Sequence, residues 1–128
     1  MSPVRVLVVD DQEPFRKAMT AVVQETAGFE IVGLATTGEE SLTAVAELRP
    51  DLVLMDVNLP GIDGIEAARS LTSAVRNRPV VILLSTYDED EFDLAGSGAT
   101  AYVSKSALSP DRLSGAWSAA AAQRDRRG

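Results

Sequence analysis

A chain of 128 residues has room for one hydrophobic core and too little for two ordinary domains. It contains no cysteine and no histidine, which excludes disulfides, thiolate or imidazole catalysis and the usual zinc sites; carboxylates, hydroxyls and lysine are left to carry any chemistry. The formal net charge of −7 opposes direct contact with nucleic-acid phosphates or anionic lipid heads.

Val4 to Val9 is, apart from Arg5, an apolar run rich in β-branched residues, the pattern of a parallel strand buried on both faces. Phe15, Met19, Val22 and Val23 then recur at helical spacing, and Gly28 closes that first helix. Glu30 to Ala35 reads as a second strand, and Leu42, Val45, Ala46 and Leu48 as the apolar stripe of a second helix stopped by Pro50 and Asp51. Leu52 to Met55 is the third strand. Pro60 and Gly61 make a turn before Asp63, which is placed to cap a third helix carrying Ile65, Ala68 and Leu71. Val80 to Leu84 and the short run Ala101 to Val103, with Tyr102 at its centre, complete five strands. Between these last two, acidic residues from Asp88 to Glu91 suit a first helical turn, but Gly96 and Gly98 leave little to continue it. A short or irregular fourth helix is expected there. Ser109, Pro110 and Asp111 start a last helix, with Leu113, Ala116, Trp117 and Ala120 on one face.

Alternating strands and helices predict right-handed βαβ units. The expected fold is a flavodoxin-like (βα)5 three-layer sandwich, with a parallel sheet of order 2-1-3-4-5 and ligands beyond the carboxyl ends of its strands. One domain is expected over residues 1–123, and residues 124–128 as a tail or the start of a linker. No apolar run approaches a membrane span, and Met1 to Arg5 lacks the pattern of a secretory signal, so a cytoplasmic location is expected.

Asp10 and Asp11 follow the first strand and Asp56 the third, and the expected order makes those strands neighbours. Three carboxylates at one sheet edge cannot all remain ionised at close range without a cation. Magnesium, which keeps several waters and takes one or two carboxylates plus phosphate oxygens, suits a lone acidic cluster, with manganese as an alternative. Asp11 and Asp56 are the expected direct ligands, Asp10 acts through water, and the Asn58 carbonyl completes the protein side. Ser85 ends the fourth strand and Lys105 follows the fifth, so a hydroxyl and an ammonium face the same rim, placed to surround a phosphoryl group accepted by Asp56.

The Asp10-Asp11 pair, the run from Asp56 through Asn58, Leu59, Pro60 and Gly61 to Asp63-Gly64, Ser85-Thr86, and Gly98-Ala99 leading to Tyr102-Val103-Ser104-Lys105 resemble response-regulator receiver domains of two-component signalling. The resemblance covers nearly the whole chain. It implies that Asp56 is the phosphoacceptor, that Asp10, Asp11, Asp56 and the Asn58 carbonyl serve magnesium, and that Ser85 and Lys105 bind phosphoryl oxygens. It further implies that Ser85 and Tyr102 are the switch residues, with Tyr102 turning inward as Ser85 moves toward phosphate. The surface so remodelled would be the helix before the fifth strand together with that strand and the last helix, or the first and last helices. Implied partners are a histidine kinase or small phosphodonor and a second copy in a homodimer. The chemistry modifies the domain itself, so it is not an enzyme in the ordinary sense.

Two departures stand out. Ser106 follows Lys105 where many receivers have proline, a feature resembling the subfamily with a C-terminal helix-turn-helix (LuxR/NarL-type) output domain. DNA and transcriptional control would then be reached only through a domain absent from this chain. The interval from Ser85 to Lys105 is also short for the family by roughly two residues, about half a helical turn.

Taken singly, the site residues have ordinary structural explanations: Asp10 and Asp11 as helix caps, Asp56 and Asn58 as turn formers, Tyr102 as a packing residue. The main functional rival is a receiver-like dimerisation or interaction module that no longer uses phosphate. A phosphatase with its nucleophile on the first strand would want a second Asp two residues later, and Asp11-Gln12-Glu13-Pro14 would repel a flavin phosphate.

Overall fold

Alternation along the strands feeds two separate cores, one on each face of a single sheet. A computed structural model of the chain describes residues 3–59, 61–62, 64–72, 79–85, 99 and 101–127. In chain order it shows β1 (Val4–Val9), α1 (Glu13–Glu25), β2 (Phe29–Ala35), α2 (Gly38–Leu48), β3 (Leu52–Asp56), α3 (Gly64–Thr72), β4 (Val80–Ser85), β5 (Ala101–Ser104), a 3-10 turn (Lys105–Ala107) and a C-terminal helix (Pro110–Arg127). The strands pair in parallel in the order β2-β1-β3-β4-β5, the flavodoxin-like arrangement expected.

Successive strand side chains point to opposite faces. Leu7, Val9, Val53, Met55, Val81 and Leu83 therefore meet α2 and α3 through Val45, Leu48, Ala67, Ala68 and Leu71. Val6, Val8, Leu52, Leu54, Ile82 and Leu84 face α1 and the C-terminal helix, where Met19, Val23, Leu113 and Ala120 close the second core. Phe29 and Trp117 add an edge-to-face ring contact at 6.4 Å on that side. With both faces covered, β3 and β4 are buried from end to end, which is why their sequences lack polar alternation.

Local chemistry sets the helix ends. Thr37 caps α2 by accepting the Glu40 N–H at 3.0 Å, and the Glu40 carboxylate accepts the Thr36 N–H and hydroxyl in return. Those bonds hold the Glu40 carboxyl below its usual range. Ser109 caps the C-terminal helix as expected, its hydroxyl accepting the Arg112 N–H at 3.1 Å. That helix runs through Arg127, so the residues expected as a tail are helical to that point.

Some details differ from the sequence reading or add to it. α1 ends at Glu25 with Thr26 as its C-cap, short of the Gly28 expected to close it. Ala46 is exposed, and α2 instead turns Ala44 and Ser41 inward. The β1–β2 register slips by one residue between Ile31 and Gly33, and a side chain on Gly33 would run into Leu48. The cap of α1 is Gln12, with no side-chain cap bond, in place of either aspartate. The fourth helix, Pro60 and the Asp63 cap lie outside the described residues. No helix among those described is long and apolar enough to cross a membrane.

Candidate functional site

The carboxyl ends of β1, β3, β4 and β5 converge because the sheet is parallel and these strands are consecutive in it. Asp10, the first residue after β1, donates its N–H to the Ala35 carbonyl at the end of β2. Its carbonyl accepts from the Arg16 guanidinium at 3.0 Å, and its Oδ1 accepts the Gln12 N–H at 2.9 Å, so Asp10 is fixed on three sides. Asp56 ends β3, and its Oδ1 accepts the Asn58 N–H at 3.2 Å.

Asp10 and Asp56 are buried and Asp11 is exposed, and carboxylate oxygens from the three lie within 4.8 Å of one another. Opposite ligands of a magnesium ion stand about 4.2 Å apart, so these oxygens are already near coordination spacing. Within this cluster of residues, Asp10 Oδ2 is fully buried without a hydrogen-bond partner. The Lys105 ammonium lies 2.8 Å from that oxygen and 3.4 Å from Asp56 Oδ2, in ionic contact but off the direction a hydrogen bond to Asp10 requires. An oxygen-only donor set with an under-satisfied buried carboxylate fits a hard divalent cation.

Burial pushes the Asp56 carboxyl above the usual carboxylate range, against the pull of the Lys105 ammonium; the Asp10 charge adds to the rise and the Asn58 N–H opposes it. Three carboxylates cluster here and one ammonium contacts two of them, so the site is short of positive charge. A cation, or a proton on Asp56, relieves that shortage.

Ser85 is fully buried at the end of β4 and is paired in register with Ser104, directly before Lys105. Tyr102 is 8% exposed and packs with Val57, Leu83 and Ala99, so its ring lies on the α2/α3 side of the sheet. Asn58 is exposed at the mouth of the site. Lys105 reaches the acidic cluster from the opening of the 3-10 turn, and the Ser104 and Ser106 hydroxyls pair at 3.0 Å on either side of it.

Three contributors were not legible beforehand. Phe15, read as part of the apolar stripe of α1, places its ring centroid 4.0 Å from the Lys105 Nζ. Arg16 holds the Asp10 carbonyl. Gly64 lets α3 start directly against the acceptor strand: its N–H donates to the Val57 carbonyl at 2.8 Å, and an added Cβ would overlap the Asp56 carbonyl oxygen. A glycine at the first turn of a helix beside an acidic strand end was the available signal for the last of these.

The sequence pattern of the response regulator receiver domain matches residues 6–117. The chain belongs to the response-regulator receiver family. Over 108 residues this receiver is 44% identical to the response regulator GacA of Pseudomonas viridiflava, a match taking in 81% of the chain and 49% of GacA. Over 116 residues it is 40% identical to protein-glutamate methylesterase/protein-glutamine glutaminase 5 of Myxococcus xanthus (strain DK1622), covering 88% of the chain and 33% of that protein. The receiver thus spans about half the length of one relative and a third of the other. Among solved structures, the signal receiver domain of NarL from Mycobacterium tuberculosis superposes with a TM-score of 0.84 at 26% identity, over 94% of this chain and 98% of that one.

Proposed function

We propose that this receiver accepts a phosphoryl group on Asp56 from a histidine kinase or a small phosphodonor, in a magnesium-dependent reaction, and thereby switches a protein surface. The observation that carries the proposal is the Lys105 ammonium held 2.8 Å from Asp10 and 3.4 Å from Asp56 beside three clustered carboxylates.

An Asp56 carboxylate oxygen forms the new bond to phosphorus as the bond from phosphorus to the donor's nitrogen or oxygen breaks, the leaving group taking the electron pair. Asp10, Asp11, Asp56 and the Asn58 carbonyl would hold the magnesium ion, which supplies charge neutralisation at the phosphoryl oxygens. Lys105 then moves its ionic contact from the carboxylates to a phosphoryl oxygen, and the Ser85 hydroxyl donates to another. Exchange of the Ser85 partner strains the β4 end and the neighbouring Tyr102, biasing the surface formed by β5 with the helices beside it, or that of α1 and the C-terminal helix.

In this role the receiver serves a cytoplasmic, homodimeric regulator of transcription that reaches DNA only through an output domain, and what supports it is the likeness to a response regulator about twice as long as the matched region. On this reading the receiver modifies only itself and is not an enzyme toward other molecules. The test is intact mass after incubation with acetyl phosphate and magnesium, for wild type and Asp56→Asn, with and without chelator. One added phosphoryl group that requires both the metal and Asp56 supports the proposal. No addition by acetyl phosphate or by a phosphohistidine donor, with magnesium binding verified, favours the phosphate-independent interaction module.

A further inference from the structure

We propose that Phe15 is a positioning residue: its ring holds the Lys105 ammonium on Asp10 and Asp56, and so sets how readily a divalent cation enters the acidic cluster. The inference rests on reading that cluster as the cation site. Phe15 sits in the first turn of α1, four residues beyond Asp11. It is half-buried yet belongs to neither core; Met19 and Val23 form the buried face of the helix. Its ring instead faces an ammonium, with the centroid 4.0 Å from the Lys105 Nζ.

That nitrogen is gripped from three directions, by the ring, by Asp10 Oδ2 at 2.8 Å and by Asp56 Oδ2 at 3.4 Å, and the lysine side chain is only 7% exposed. The negative face of an aromatic ring attracts a cation, more strongly once water is excluded. The ring acts in both ways here, as a source of attraction and as a cover that keeps solvent from screening the ion pairs. A divalent cation on the same carboxylates must repel the ammonium from them, so whatever stabilises the observed lysine position opposes entry of the metal. A leucine at position 15 would keep much of the cover and lose the ring face.

The experiment is a double-mutant cycle on the full chain, with magnesium chloride titrated calorimetrically into wild type, Phe15→Leu, Phe15→Trp, Lys105→Met and the Phe15→Leu/Lys105→Met pair. Phe15→Leu is expected to bind magnesium about threefold to tenfold more tightly, the range of a cation–π contact that is partly desolvated. Phe15→Trp, with a stronger ring face, is expected to bind it more weakly than wild type. In the Lys105→Met background Phe15→Leu should change nothing, because the ring acts through the ammonium. Urea unfolding without metal should show the same coupling between the two positions. Unchanged or weaker binding by Phe15→Leu, or an equal gain with and without the ammonium, would overturn the role given to the ring. A wild type that binds no magnesium overturns the cation site itself and the gate with it; a wild type that binds while Phe15→Leu behaves identically overturns the gate alone.

Discussion

The two ends of the sheet both carry charge, and they treat it in opposite ways. At the amino end of the strands, the Asp51 carboxylate accepts the Arg5 N–H at 3.0 Å, the Asp51 N–H donates to the Arg5 carbonyl, and the Asp51 carbonyl accepts from Val80. The Arg5 guanidinium in turn donates to the Arg49 carbonyl at 2.8 Å. The Asp51 carboxylate and the Arg5 guanidinium each have a backbone partner there, and the Asp51 bonds tie β1, β3 and β4 together. At the carboxyl end, three carboxylates cluster with one ammonium in contact with two of them, one buried oxygen lacks a hydrogen bond, and burial pushes the Asp56 carboxyl up. Satisfied charge holds a structure together, whereas charge left under-satisfied at a strand end stores a free-energy difference that a ligand can release.

The sharpest way to break this contrast is Asp56→Asn. Phosphoryl uptake measured by intact mass should vanish, while the metal-free fold gains about 1–2 kcal/mol, because a buried ionised carboxylate is replaced by a neutral group of the same shape. The sign follows from the raised carboxyl. Its contribution to stability is fully present below the unfolded-state value and is lost as pH rises through the higher folded-state value. Urea unfolding of both proteins across that range, without metal, should show wild type falling further behind Asp56→Asn as pH rises, and parallel curves would refute the burial argument.

Gly64→Ala comes next. Its Cβ would overlap the Asp56 carbonyl, so α3 must shift away from the acceptor strand at a cost of about 2–4 kcal/mol. The variant should also take up phosphate more slowly than wild type in the acetyl phosphate assay, since the displaced backbone carries the acceptor. At the opposite end, Asp51→Ala should cost about 1–2 kcal/mol in urea unfolding and leave the rate of phosphoryl uptake unchanged. A large change in that rate would mean the two ends are coupled and the contrast between them is false.

The smallest expected effect is at Arg49, which caps α2 in the left-handed region at φ 50°. Arg49→Gly relieves the Cβ conflict of that conformation, and thermal unfolding should show a gain of about 0.5–1 kcal/mol with site chemistry intact. Its only described task in the amino-end network is performed by its backbone carbonyl, which glycine retains.

Much of this architecture is legible in one dimension because the signals are local. Val4 to Val9 forms β1 with the bounds its apolar run predicts: Val6 to Val9 are fully buried, and Arg5, the one charged residue, lies at the half-buried amino end. Ser109 caps the last helix for reasons contained in three consecutive residues. Strand order then brings Asp10, Asp11 and Asp56 to one rim, because parallel crossovers leave β1 and β3 as neighbours with their carboxyl ends together.

What tertiary structure alone decided are the contacts between residues whose local patterns point elsewhere. Phe15 carries the spacing of a core residue, and only the return of the chain after β5 puts an ammonium over its ring. Ala46 falls within the helical stripe, yet the packing of α2 leaves it exposed and buries Ser41 instead. The slip of register beside Gly33 and the approach of Gly64 to Asp56 depend on how closely a helix can lie against a strand, which is settled by packing. Periodicity and caps read interactions within a few residues, and so the elements and the acidic rim belong to the sequence itself. The balance of charge at that rim is set by groups far apart along the chain, and it exists only once the sheet has brought them together.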